Sequence, residues 1–340
     1  MNPTAYLQSL LETATAYQLT DEDQKILQKE GVEGFIYRKL TSKKFRKWKM
    51  EEDSQKRVRA ALRSNITKNQ PIQFTYPFGG YKLWSLDAAP QVDWAEFFSI
   101  AYYCQYVAPI LQVYKPGVLF SFSSDDIIIE RMNNTPKKDT DAYFDSFTML
   151  LKHFSKYFPS NIQMEIVRVA DMYSKKEYEE ELQEAVIRLK QTYPTTSQER
   201  QDMMMRTSRL NIEWQGAKDL TEISEAEKEH IIAMGPIYHD AEVGMSKRAQ
   251  FVRGEDKIVV FTTVVPNAIA IGTNKNAIVK FWMGVGVLEE DDNSYTTRIF
   301  SPKQWEKIKN KNHELVKTTL INLPNFQTIL VYKEKIDLNH

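Results

Sequence analysis

The sequence predicts an α/β protein: a Rossmann-like parallel sheet core with an N-terminal helical segment before it and a β-rich C-terminal part after it. Three observations carry this. Residues 71–134 run from an apolar strand through a glycine pair and a capped helix into a second apolar strand, PIQFTYPFGGYK…QVDWAEFF…YKPGVLFSFSSDD. Two strands joined by one helix form a parallel crossover unit. Strand and helix patterns then alternate to about residue 210, as they do in layered α/β folds. Beyond Gly235-Pro236, short strand patterns take over. The expected division is a helical segment over 1–70, a Rossmann-like core over 71–215, and an α+β part over 216–340 that completes the site.

Each element has its own signal. Leu7, Leu10 and Leu11 recur at helical spacing, and Thr20 with Asp21 and Asp23 marks a second helix start. Residues 38–49 are densely basic, with Arg38, Lys39, Lys43, Lys44, Arg46, Lys47 and Lys49 around Phe45 and Trp48. Such a run is either an anion-binding patch or a solvated helix face paired with Glu51, Glu52 and Asp53. A helix over 54–64 leads to the first strand, 72–76. The crossover helix, 93–113, is apolar on two adjacent rows, one containing Phe97, Ala101 and Cys104, the other Ile100, Tyr103 and Val107. Two apolar rows mean deep burial, and Pro109 is expected to kink the helix.

A second strand follows at 118–122. A helix over 141–157 then turns Tyr143, Phe147, Leu150, Leu151 and Phe154 inward, and a third strand covers 163–169. A charged helix spans 175–189 on a stripe of Leu182, Val186 and Leu189. Helices are expected at 199–210 and, behind a Ser224–Glu227 capping box, at 224–233. Strands are expected at 257–264, 268–271, 277–281, 295–300 and 328–332, with a short helix opening at Ser301-Pro302.

Composition narrows the function. The chain has 340 residues, 42% of them hydrophobic, and equal numbers of basic and acidic residues, 45 each. Zero net charge argues against a whole-protein nucleic-acid binder. Cys104 is the only cysteine, so no intrachain disulfide forms. The first sixteen residues lack the basic start and apolar core of an export signal. The most apolar long stretch, 258–271, is too short and polar to span a bilayer. A cytoplasmic protein acting on a small molecule, with neither nucleic acid nor membrane as partner, is expected; the oligomeric state stays open.

Ligands of parallel sheets bind beyond the carboxyl ends of the strands. Those ends carry Gly79, Gly80 and Lys82 after the first strand and Asp125 and Asp126 after the second. The glycine pair lets backbone approach a ligand, but neither a Walker loop nor a dinucleotide fingerprint is present. Asp93 and Glu96 fall at the cap and third positions of the crossover helix, with Val92 and Phe97 as a hydrophobic staple. The cap explains Asp93; Glu96 continues into the row of Ile100 and Tyr103 and is free to face the site. Cations come from the far half of the chain: Arg206, Arg209, Lys247, Arg248, Arg253, Lys275 and Lys280. Gly272 and Lys275 in IGTNKNAIVKFW form a strand–loop–strand able to hold an anion. No second histidine stands at ligand spacing from His239, so no metal site is expected.

Residues Pro77, Phe78 and Lys82, then Pro90, Asp93 and Glu96, then Tyr114, Pro116 and Gly117, then Ser124 and Asp125 resemble the motifs of the pyoverdine/dityrosine biosynthesis family, the isonitrile synthases. The lysine stands three residues later than in the family pattern, and Asp126 replaces a glycine. The resemblance implies a Rossmann-like enzyme without metal or other cofactor. Such an enzyme joins an amino-acid amine to a carbon taken from a pentulose phosphate. Such chemistry needs a cationic pocket, an acid–base group and a carboxylate for the amine, and the sequence supplies candidates for each: Lys82, Glu96 and Asp125 as catalytic residues, with Gly79, Gly80, Asp126, Arg206, Arg209 and Lys275 for the substrate and its phosphate. Two other readings are a nucleotide-sugar-dependent glycosyltransferase, with Asp125-Asp126 at a divalent metal, and a non-catalytic interaction or effector protein using the basic segment.

Overall fold

The computed structural model describes residues 2–79, 90–125, 130, 135–192, 198, 202, 224–262, 267–275, 277 and 279–337. Three helices open the chain: α1 (Pro3–Glu12), α2 (Asp21–Leu40) and α3 (Glu52–Thr67). The start of α2 is a capping box, in which Thr20 Oγ1 accepts the Asp23 N–H and Asp23 accepts the Thr20 N–H.

The protein is mixed α/β, and its centre is a five-stranded, all-parallel sheet. Its strands are β1 (Ile72–Phe78), β2 (Val118–Ser124), β3 (Ile162–Arg168), β4 (Lys257–Phe261) and β5 (Ala268–Ala270), in the order β3-β2-β1-β4-β5. Helix α4 (Trp94–Val113) joins β1 to β2, and α5 (Lys137–Ser155) joins β2 to β3. The chain then passes through α6 (Lys175–Thr192), α7 (Glu225–Val243) and α8 (Ser246–Arg253) and returns to the free side of β1. Two of the five strands come from beyond residue 215, so the sheet is not confined to 71–215. The turn before β2 depends on Gly117, whose φ is +70° and whose missing Cβ would stand 1.6 Å from the Asn161 carbonyl oxygen.

A second, four-stranded sheet has the order β7-β6-β9-β8, built from β6 (Val285–Asp291), β7 (Ser294–Phe300), β8 (His313–Lys317) and β9 (Thr328–Tyr332). Helix α9 (Pro302–Ile308) follows β7 and is capped by Ser301 with Gln304. Helix α4 links the two sheets. One side carries Tyr103 and Tyr106, whose rings meet Tyr76 and Phe74 of β1. At its start, the Trp94 indole donates to the Thr328 carbonyl at 2.7 Å, and β6 lies against Ala95. Seventeen of its twenty residues are buried, the double apolar row in three dimensions.

Several sequence expectations are corrected. The basic stretch after Leu40 is not a helix. It turns at 43–45, and residues 45–47 then pair with the end of β5 and the residues after it: Lys47 N–H donates to Ala270 O, Gly272 N–H donates to Phe45 O, and Arg46 bridges Ile271 antiparallel. Glu52 and Asp53 pair with Lys56 instead. Helix α7 continues through Gly235-Pro236 to Val243, since one proline removes only one intrahelical hydrogen bond, and His239 therefore lies in a helix. Among the described residues of 277–281 there is no strand; a 3-10 turn, Phe281–Met283, leads into β6. The helix expected over 199–210 lies outside the described residues. Among the described residues, no helix is long and apolar enough to cross a membrane.

Candidate functional site at the carboxyl ends of the parallel strands

The strand order reverses direction between β1 and β4, and parallel sheets take their ligands beyond the carboxyl ends of the strands at such a point. β1 ends at Phe78, and the Asp125 N–H beyond β2 donates to the Phe78 carbonyl at 3.1 Å. The Phe78 ring packs on Phe147, Phe281 and Trp282, with centroids 5.6, 5.3 and 5.5 Å away. This end of the sheet is therefore apolar, and its polar groups stand out.

Glu96 is the central one. It occupies the first turn of α4 and is fully buried. Its Oε2 accepts the Asp93 N–H at 2.8 Å, completing the capping box, while Asp93 Oδ1 accepts the Ala95 N–H at 2.7 Å. Glu96 Oε1 accepts the Tyr143 hydroxyl at 3.1 Å. Burial, and then the charge of Glu96, hold the Tyr143 pKa well above its usual value, so its proton stays on the phenol. Cap spacing revealed Glu96; nothing local revealed Tyr143, which reads as one apolar position of an amphipathic helix.

Asp125 has a partner the sequence did not show. Arg248 of α8 grips it with two parallel bonds, Nε to Oδ1 at 2.9 Å and Nη2 to Oδ2 at 3.0 Å. The guanidinium is buried; burial disfavours its charge, and Asp125 outweighs that and raises its pKa. A substrate amine at Asp125 therefore has to compete with a guanidinium. Arg248 figures among the cations of the sequence, but 123 positions separate it from Asp125.

The remaining expected residues divide cleanly. Gly79 directly follows β1. Lys275 is exposed, in a tight turn bridged by Asn274 and Ala277, and its carbonyl accepts from Lys47 Nζ at 2.8 Å. Among the described residues, no hydrogen bond or ion pair joins it to Glu96 or Asp125. Gly80, Lys82, Asp126, Arg206 and Arg209 lie outside the described residues. A surface recess of about 600 Å³, lined by Met172, Lys247, Phe251 and Lys257 among others, lies along α8.

No protein-family model and no curated protein matches the sequence. Solved structures do. The fold resembles that of PvcA. The PvcA protein from Pseudomonas aeruginosa aligns with a TM-score of 0.66 over 89% of this chain and 100% of that one, at 15% sequence identity. A CDPS from Fluoribacter dumoffii aligns with a TM-score of 0.34 over 66% and 86% of the two chains, also at 15% identity. The likeness to PvcA takes in more than the α/β core, since coverage that wide reaches into both the N-terminal helices and the second sheet. It agrees at the level of fold with the family resemblance of the strand-end motifs.

Proposed function

We propose that this chain is a biosynthetic enzyme of the isonitrile-synthase type, condensing the amine of an amino acid with a pentulose phosphate. The observation that supports it is Glu96. A fully buried carboxylate, held between a helix-cap N–H and a tyrosine hydroxyl whose ring packs near Phe78 at the end of β1, belongs to a PvcA-like fold. Imine formation between an amine and a ketone moves protons twice, off the attacking nitrogen and onto the departing hydroxyl. Glu96 carries that shuttle, and the Tyr143 phenol, which keeps its proton, steadies the carboxylate. In this reading Lys82 and Asp125 act with Glu96, while Gly79, Gly80, Asp126, Arg206, Arg209 and Lys275 serve to bind the substrate and its phosphate. The grip of Arg248 on Asp125 counts against the glycosyltransferase reading, which needs that carboxylate for a metal.

The test is incubation of the purified protein with ribulose 5-phosphate and L-tyrosine or L-tryptophan, with the product read by mass spectrometry. Glu96→Gln should lower kcat by about 10²–10⁴-fold, the usual worth of a general acid–base group. Absence of both turnover and thermal stabilisation with every amino acid and sugar phosphate tried would refute the proposal.

A further inference from the structure

The recess along α8 takes no part in the chemistry above. Ser246, Lys247, Gln250 and Phe251 line it from the helix, and their spacing of i, i+1, i+4 and i+5 puts them on one face. The other face is committed to the core. There Arg248 holds Asp125, and the Val252 carbonyl accepts the Thr75 hydroxyl of β1 at 2.6 Å. Met172, Asp256 and Lys257 complete the wall. The volume, about 600 Å³, suits a small molecule.

Two kinds of group in that wall have binding capacity left over. The first is a ring. Phe251 is partly buried, yet among the described residues it packs on none of the apolar clusters and meets no other ring. The Lys257 ammonium stands 6.0 Å from its centroid. A ring that faces a recess and stays out of the core gains by covering its face with a second flat apolar surface. The second is a pair of ammonium groups. Lys257 donates to the Gln73 side-chain oxygen, a neutral acceptor, and makes no ion pair among the described residues. An ammonium carries three donors, so Lys257 keeps some to offer. Lys247 stands 3.5 Å from Glu177, and both side chains are about half exposed, so water and salt weaken the attraction. Asp256, the one carboxylate in the wall, already accepts the Gln73 amide N–H at 3.0 Å. The wall thus sets two lysines against one aspartate, beside an uncovered ring.

We propose that the recess along α8 binds a small molecule that joins a flat apolar ring to one anionic oxygen group, a carboxylate or a phosphate. The ring lies against Phe251 and Met172, and Lys257 and Lys247 hold the anion. An amine in place of the anion is disfavoured by the same two lysines. This site is separate from Glu96 and does not depend on the reaction proposed there.

The test is calorimetric titration of phenyl phosphate, phenylacetate, benzylamine and inorganic phosphate into the wild type, Lys257→Gln, Lys247→Gln, Phe251→Leu and Glu96→Gln. The wild type should bind at least one aryl anion, and the tighter of the two names the anionic group. Inorganic phosphate, which has no ring to bury, should bind about tenfold or more weakly than phenyl phosphate. Lys257→Gln should weaken the aryl anion by about tenfold or more, the worth of one charge-assisted hydrogen bond. Lys247→Gln should cost a smaller factor. Phe251→Leu should cost the aryl anion about two- to tenfold and leave inorganic phosphate unchanged. Absence of binding by both aryl anions overturns the site, as does tighter binding of benzylamine or an affinity unchanged in both lysine variants. The substrates proposed for Glu96 also carry a ring and a phosphate, so that variant separates the two places. Aryl-anion binding lost in Glu96→Gln but intact in the lysine variants puts the ligand at the strand ends and overturns the recess; the opposite pattern upholds it, whether or not the condensation occurs. If Lys257→Gln does not fold, reductive methylation of the wild type decides. The aryl anion should protect Lys257, read by peptide mass spectrometry, and no protection overturns the proposal.

Discussion

Asp23 and Glu96 are both buried carboxylates at the third position of a capping box, and their partners give them different properties. Asp23 is desolvated, which alone would raise its pKa. Bonds from Lys39, Tyr17 and the Thr20 N–H prevail and bring it down to about 2. A depressed carboxylate stabilises the fold above its unfolded pKa, and that stabilisation is lost as pH falls through its folded pKa. Asp23 should therefore contribute about 2 kcal/mol at neutral pH, fading between about pH 4 and pH 2. Urea unfolding of Asp23→Asn against the wild type checks this: the gap in stability should be full at pH 6 and close toward pH 2, and a pH-independent gap would contradict it. At this scale, legibility follows sequence distance. D-x-x-E ahead of Phe97 announces the cap role of Glu96, because both partners sit within one turn. The Tyr143 and Arg248 contacts join residues 47 and 123 positions apart and leave no trace in the sequence.

At the scale of elements, α4 and β6 mark the two extremes. Helix α4 is plain in the sequence, since two adjacent apolar rows behind a capped start suit a buried helix and little else. Strand β6 is hidden there, because Gly284 and Gly286 weaken its strand pattern. Their purpose is close approach: a Cβ on Gly286 would stand 2.5 Å from the Ala95 nitrogen and the Trp94 carbonyl carbon, and one on Gly284 would stand 2.5 Å from Ile299 Cγ2. Helix backbone cannot yield as a flexible side chain can, so Gly286→Val should cost about 2 kcal/mol or more by forcing β6 off α4. A thermal melt measures this, and an unchanged Tm would mean that β6 can shift away from α4 without cost. The continuation of α7 through Gly235-Pro236 belongs to the same class, where a local breaker signal yields to the packing of Ile237 and Ala241 against α6.

For the whole molecule, the decisive fact is where the chain returns. Propensity and period identify strands, but they do not say that β4 comes back beside β1, and so the boundary expected at residue 215 cuts the sheet. The parallel class is legible because crossover helices alternate with apolar strands; the strand order is not, because it depends on long-range pairing. A fragment limited to 71–215 would lose β4 and β5 and uncover the side of α4 that faces the second sheet. It should lack near-ultraviolet circular dichroism and bind a hydrophobic dye, whereas a sharp two-state melt of that fragment would show the core to be independent.

The pairing of residues 45–47 with the end of β5 has a consequence beyond packing. Without them, β5 would end the sheet with a row of bare amide and carbonyl groups, a template on which another chain can add a strand. Phe45 and Lys47 satisfy part of that row, and Lys43, Lys44 and Lys49 place their charges near it in the chain. The run that reads in sequence as a patch for attracting a polyanion thus serves also as a guard, keeping neighbouring copies of the same protein from polymerising edge to edge.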